Sequence, residues 1–411
     1  MLSIVFAVAI LLLVAENETA AREIGPHANL CAEINSLRAG EVLDLMPGDY
    51  RGPCRIRNGG IPDFPVVIRG QSRTEKPRIT YEGQTSNVFA IEADHVTLRG
   101  LKFGPTMRNV DGIRILAHND ITIEDCEFSR LGGIAIAATR TSVSGVFVRR
   151  NIVMNSLATA MYFGCHDGVG CQIQNLLVER NFIHNVDVGD PEIGYGIQFK
   201  LNSTGAIIDN VISDTKGPAI MVYGSSDSTR ISLIEKNFVA GSRQSSGILI
   251  GGGPARVNNN IATRNFEGGI TVQDYAGRGL LRDIAVAYNT TFKNSSGEFI
   301  VPSQVKLAGV LFTLNAAAAS VGMQAFPFRQ SGLTLRKNID CTSSACFLDP
   351  SSLNFSPIPA SLITGIKNMA EGGLPADDYY SRNRSGRWTA GAVAFRAPSI
   401  RLGIKSKDSI L

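Results

Sequence analysis

Apolar and polar residues alternate along most of this chain in bursts too brief for helices. "GIRIL", "AMYFG", "GIQFK", "AIMVY", "GILIG" and "GITVQ" each hold apolar residues two apart, the period of a strand with one buried face. Between these bursts a second phrase recurs: "VFVRRNIVMN", "LLVERNFIHN", "AIIDNVISD", "SLIEKNFVAG", "ARVNNNIATRN" and "IAVAYNTTFKN". Its asparagines are Asn151, Asn181, Asn210, Asn237, Asn260 and Asn289, with a fainter seventh at Asn315, and successive gaps run from 23 to 30 residues. Stepping backwards places Cys126 and Leu101 in the same slot.

Each unit supplies a short strand, the asparagine, a second strand, a variable loop and a third strand, with no helix long enough for a crossover. Three strands per repeat of this length predict an all-β, single-stranded right-handed parallel β-helix of nine or more coils. Asparagine suits the sharp turn because it tolerates left-handed backbone, and its amide can bond the same residue one coil away. Cys126 in a ladder slot is then a buried, inert thiol. "ANLCAEINSLRAG" has helical spacing and predicts a short helix that caps the first coil, whose edges would otherwise be open. The predicted organisation is a leader over 1–21, a cap and first strands over 22–60, the β-helix over 61–319, and C-terminal coils with an irregular cap over 320–411.

Composition adds a compartment. Leu2 to Ala15 is apolar but short for a membrane span, and Thr19-Ala20-Ala21 offers a small-residue cleavage site, so the chain reads as exported: secreted, periplasmic or at the cell surface. A short uncleaved anchor is the other reading of that leader. Seven cysteines fall into three close pairs, Cys31 with Cys54, Cys165 with Cys171 and Cys341 with Cys346, plus Cys126. In an oxidising compartment the pairs predict three disulfides. A zinc site from Cys165, His166 and Cys171 is the rival, but its spacing fits no common finger and no fourth ligand is near. The net charge of +4 among 411 residues points weakly to an acidic partner, and no lysine/arginine cluster in the sequence suggests nucleic acid. A monomer, with no membrane contact once the leader is gone, is expected.

The opening "LDLMPGDYRGPCRIRNGGIPDFPVVIRGQS" resembles the start of secreted β-helix polysaccharide lyases of the alginate lyase and chondroitinase B type, within the pectate-lyase-like superfamily. The tail resembles the common ending of such proteins, with Ser361, Gly365, Asp378, Arg384, Gly391 and Ala392 at the matching places. The resemblance implies that the sheet following the long loops binds sugar. Aligning the coils gives one outward column of Leu116, Ala137, Gly164, Lys200, Tyr223, Gly251 and Gln273. The other is Arg114, Ala135, Tyr162, Gln198, Met221, Leu249 and Thr271. With coils ~4.8 Å apart, Lys200 and Tyr223 are expected as neighbours, and Gly164 and Gly251 are expected to leave open space beside them.

"GIQFK" stands where the resemblance implies an "I-x-V-K" lysine that serves as base in β-elimination of a uronate, so Lys200 is the candidate base. For a lysine to act near neutral pH its pKa has to fall by about 3 units, which costs ~4 kcal/mol; bound calcium or Arg243 can supply that. Tyr223 replaces the arginine the family carries and is the candidate proton donor. His166, on the "CHDGVGC" loop, completes the set. Gln198, Tyr162, Tyr195, Lys216 and Gln273 are candidate sugar contacts. Calcium is the one candidate cofactor, through Asp187, Asp190 and Glu192, which are out of register with the family's glutamates. The expected partner is an acidic polysaccharide. Carbon-5 epimerisation shares the proton abstraction and draws on Tyr162, His166 and Tyr223. A non-catalytic sugar-binding surface, lined by Tyr162, Tyr195, Tyr223 and Tyr275, is the third reading. No paired carboxylate motif for hydrolysis occurs.

Overall fold

The structure, a computed structural model, describes residues 21–186, 194–275, 277–320, 322–342, 345–359, 361, 363–366, 374–384 and 388–394. The expected leader and the acidic trio Asp187, Asp190 and Glu192 lie outside these. The described chain winds as a parallel β-helix of three sheets, with thirteen, ten and twelve strands, each strand paired with its equivalent one coil away. Inward columns such as Ile113, Ile136, Met161, Ile197, Ile220, Ile248 and Ile270 are fully buried and fill the interior.

The asparagine ladder is present and one rung longer than expected. From Asn151 to Asn315, each Nδ2 donates to Oδ1 of the next rung at 2.9–3.0 Å, and Asn315 donates to Asn338 at 2.8 Å. Cys126 occupies the preceding slot, its N–H donating to Asn151 Oδ1 at 2.9 Å. The left-handed residue, however, is the one before each asparagine: Arg150, Arg180, Asp209, Lys236, Asn259, Tyr288, Leu314 and Lys337 all have φ between 49° and 62°. That turn accepts arginine, lysine, tyrosine and leucine, so asparagine is kept for its amide, which satisfies buried backbone groups, and not for its backbone freedom.

The helix is short, Leu30–Ile34, with Asn29 accepting from Ala32 N–H and with Leu30 and Ile34 buried over the first coil. Cys31–Cys54, Cys165–Cys171 and Cys341–Cys346 are bonded, and Cys126 is free and buried. Past Asp340 the coil gives way to small antiparallel pairs. Phe347, Phe355, Ile363 and Tyr379 of that segment cover Val211, Phe238, Ile261 and Phe292, the apolar outer face of the twelve-stranded sheet. Arg384 pins it: its guanidinium is 4.1 Å over the Tyr288 ring and donates to Asn259 Oδ1 at 2.7 Å and to the carbonyls of Asp377, Thr389, Gly391 and Ala392.

Candidate functional site

The ten-stranded sheet carries the site on its outer face. Its register corrects one column of the sequence alignment: Arg114 pairs with Ala137, and Ala137 with Tyr162, so Ala137 and not Ala135 belongs to the Tyr162 column. From there Tyr162, Gln198, Met221, Leu249 and Thr271 stack as expected.

Lys200 and Tyr223 each follow a strand directly, so the coil repeat sets both backbones. Lys200 N–H donates to Phe163 O at 2.8 Å and Tyr223 N–H to Phe199 O at 3.0 Å. The lysine Nζ lies 4.2 Å from the Tyr223 ring centre and 5.8 Å from that of Tyr162. Tyr223 meets Tyr275 edge to face at 5.6 Å. Tyr162 hydroxyl stands 3.4 Å from His166 Nδ1. These residues, with Tyr195, Gln198, Thr159, Asn109 and Asp111, line a cleft of about 600 Å³.

The expected glycine gaps are not open. A Cβ on Gly164 would strike Ser203 Oγ at 2.4 Å and Lys200 Cβ at 2.8 Å, and one on Gly251 would press Met221 Cε at 3.2 Å. Gly164, with φ of 102°, lets the lysine stem pack against the coil below and so fixes the direction of the side chain.

Lys200 is 6% exposed and makes no ion pair among the described residues, and burial lowers its pKa. Burial pushes the Tyr162 hydroxyl up to about 12. Burial and the neighbouring Tyr275 and Tyr162 push Tyr223 to about 12 as well, against the hydrogen bonds its oxygen accepts from Gln198 and Tyr195. Tyr195 is raised for the same first reason. The environment thus moves the amine towards its neutral form and holds the phenols protonated, the separation an acid–base pair needs.

The loop bearing His166 is closed by Cys165–Cys171. Asp167 caps that loop, accepting from Val169 and Gly170 N–H, both at 2.9 Å, which leaves His166 exposed above the cleft. Three sequence candidates do not line it. Arg243 donates to the carbonyls of Asp214 at 2.8 Å and Val186 at 2.9 Å. Gln273 keeps its place in the Lys200 column but three coils on, and Lys216 follows a strand of the twelve-stranded sheet, so both are outside the lining. Conversely, Asp111, from a coil nearer the N-terminus, was not anticipated. It is 4% exposed, pairs with Arg114, and accepts from Ile134 N–H at 2.8 Å.

Calcium takes six to eight oxygen ligands, including carboxylates. The described lining offers one carboxylate, Asp111, which Arg114 and Ile134 already hold, so the described residues do not make such a site. No group of three or more potential ligands occurs among the described residues. Likewise, no helix among them is long and apolar enough to cross a membrane.

Coil, ladder and outward cleft define a β-helix protein. The profile of the right-handed β-helix region family matches residues 65–233 and 111–296, together more than half of the chain, and the chain belongs to that family. No curated protein sequence matches it. Among solved structures, pectate lyase Pel9A is similar at 14% identity and a TM-score of 0.53, over 92% of this chain and 96% of that one. The A-module of the Azotobacter vinelandii mannuronan C-5 epimerase AlgE4 is similar at 13% identity and a TM-score of 0.54, over 77% and 92%. At these identities the likeness is one of fold.

Proposed function

We propose that the chain binds an acidic, uronate-containing polysaccharide in the tyrosine-lined cleft and cleaves it by β-elimination. The observation that carries this reading is Lys200: a buried amine without a carboxylate partner among the described residues, packed between two protonated phenols. Neutral Lys200 takes the carbon-5 proton on Nζ. The freed electron pair forms the carbon-4–carbon-5 double bond as the carbon-4–oxygen bond breaks, and Tyr223 gives its hydroxyl proton to the departing oxygen. In this reading the Gln198 amide, which has a second N–H besides the one on Tyr223, donates to the sugar carboxylate, where negative charge grows. Proton return from the Lys200 ammonium to the Tyr223 phenolate restores both groups. Asp111, engaged by Arg114, supplies no second free carboxylate, so the described lining does not favour hydrolysis.

One contact favours a second reading. In it the Tyr162–His166 pair, in contact at 3.4 Å and one coil before Lys200 as Tyr223 is one coil after it, is the proton donor. Delivery of a proton from that pair before the leaving group departs would invert carbon-5. The fold relatives include both outcomes, a pectate lyase and a C-5 epimerase by their names.

The test is near-ultraviolet absorbance of unsaturated uronate on alginate, pectate, chondroitin and heparin, with calcium and with chelator. Absorbance that rises and vanishes in Lys200→Ala supports the lyase. A flat trace with deuterium entering carbon-5 from heavy water supports the epimerase. A flat trace without exchange, on polymers the protein retains, leaves a binding surface and refutes both reactions.

A further inference from the structure

Away from the cleft, where the thirteen-stranded sheet turns towards the twelve-stranded one, the coil register gathers cations that are distant in sequence. Arg69, Arg99, Glu124 and Arg149 occupy one column on consecutive coils. Arg150 follows in the turn, and Arg73 and Lys76 come from the loop beside the first of these coils. Together they line a groove of about 890 Å³.

Glu124 organises the groove. It is 1% exposed and accepts from Arg149 Nε and Arg150 Nη2, both at 2.7 Å, and from Arg99 Nε. Burial alone would raise its pKa, but the hydrogen bonds from Arg149 and Arg99 outweigh it and hold the carboxyl below its usual range. Three guanidiniums are therefore oriented by one permanent anion, with Asp125 sharing Arg150 at 2.8 Å. Arg73 is exposed and makes no ion pair among the described residues. The lining holds six cations against two carboxylates, an excess of four, equal to the formal charge of the whole chain. Counting Asp44 on Arg69, Glu127 on Lys76 and Glu179, the next residue in the Arg149 column, leaves an excess of one, matched by the exposed Arg73.

We propose that this groove is a second, non-catalytic site that holds a carboxylate-bearing stretch of polysaccharide along the coil axis. The identity of the polymer rests on the reading of the cleft given above; the anionic character of the ligand does not. Column cations stand one coil apart at Arg69 and Arg99 and two coils apart at Arg99 and Arg149, ~4.8 and ~9.6 Å, spacings that suit a chain with one carboxylate per sugar. Guanidiniums pair with carboxylates in fork geometry, and Glu124 fixes their orientation before the ligand arrives. The lining contains no aromatic residue, which single-stranded nucleic acid would use for stacking, and no free acid–base pair for chemistry.

The test uses the full chain carrying Lys200→Ala and Tyr162→Ala, which disables the cleft. Fluorescently labelled oligomannuronate and oligogalacturonate are titrated at about 0.05 M and about 0.3 M NaCl, with a labelled single-stranded oligonucleotide for comparison. Oligouronate binding is expected to persist, to weaken at least roughly tenfold at the higher salt, and to weaken by about fivefold or more on adding Arg73→Glu or Arg149→Gln. The exposed Arg73→Glu change should leave the circular-dichroism melt in place, which separates lost binding from lost fold. Loss of all oligouronate binding in the cleft-disabled chain overturns the proposal and leaves the cleft reading intact. Binding unchanged by both arginine substitutions overturns it too, as does preference for the oligonucleotide. Arginine-dependent binding in a protein that proves inactive on every uronate would uphold this groove while the cleft reading fell.

Discussion

Glu298 should make the protein less stable as pH rises from 4.5 to about 7. It ends a second, shorter ladder: Ser242 N–H donates to Asn265, Asn265 Nδ2 to Asn294 Oδ1 at 2.8 Å, and Asn294 donates its N–H and its amide to the two carboxyl oxygens at 3.1 and 2.6 Å. A carboxyl can accept one donor on each oxygen, which suits the end of the ladder. No cation is among its partners, and the side chain is fully buried. Burial therefore wins over the hydrogen bonds from Asn294 and raises the pKa from 4.5 to about 7.

The sign follows from which state binds the proton. Between 4.5 and about 7 the folded chain keeps the proton that the unfolded chain releases. Stability from this group is complete below 4.5, is lost as pH climbs to about 7, and changes no further above that. At 1.36 kcal/mol per pH unit the loss is roughly 3 kcal/mol. Glu298→Gln, a neutral isostere of the protonated acid, should remove it. Its extra N–H donors cost ~1 kcal/mol if no acceptor is found, so a net gain of about 2 kcal/mol is expected at pH 8 and a net loss of about 1 kcal/mol at pH 4.5. Urea unfolding of both proteins at the two pH values, followed by circular dichroism, gives a double difference in which other titrating groups cancel. A double difference below about 0.5 kcal/mol would refute the reasoning.

Lys200→Met should abolish activity and raise stability at pH 7 by ~1 kcal/mol, because an unpaired buried charge is removed. Since the lysine is lowered in the fold, wild-type stability rises with pH between its folded value and 10.5, so the advantage of Met should shrink in that window; thermal melts across that range check it. Arg384→Ala removes the buried guanidinium that holds the C-terminal segment, at a cost of ~3–5 kcal/mol. Limited proteolysis should then cut that segment while hydrogen exchange in the central coils stays slow; loss of protection throughout would mean the segment and the coils unfold as one. Cys126, fully buried and pushed up to about 12, should resist a thiol reagent in the native protein and react once on unfolding; native reactivity would contradict the slot given to it.

What could be read from the sequence was whatever repeats. The ladder was legible because every rung demands the same amide. Lys200, Tyr223, Gln198 and Tyr162 came out together because a strand position, once assigned, carries over to the next coil. The two-residue slip at Ile136–Ala138 arose where "GIAIA" offers Ile134 and Ile136, Ala135 and Ala137, as equally good inward and outward sets; only the pairing of Ile113 with Ile136 separates them. Loop residues obey no such period, so proximity in sequence misplaces Arg243 and Lys216, and the approach of Asp111 depends on the path of the loops; Gln273 follows from the column itself but lies three coils beyond Lys200, too far along it to line the cleft.

The cationic groove followed the same rule, though its residues look scattered along the chain. Arg99, Glu124 and Arg149 each stand two positions before a ladder slot, at Leu101, Cys126 and Asn151, and Glu179 continues the column before Asn181. A cluster on a β-helix is a column and not a run, so searching for adjacent lysines and arginines misses it. The same register also explains why chemistry and charge are kept apart. The cleft column offers one lysine among buried aromatics, where desolvation lowers an amine. The turn column surrounds one buried carboxylate with guanidiniums that stay charged. An amine beside those guanidiniums would also be driven towards neutrality by like charge, but it would compete with them for the sugar carboxylate. Placed on a separate sheet, Lys200 is moved towards its neutral, proton-accepting form by burial alone, while the guanidiniums of the groove stay charged, as the proposed hold on a polymer requires.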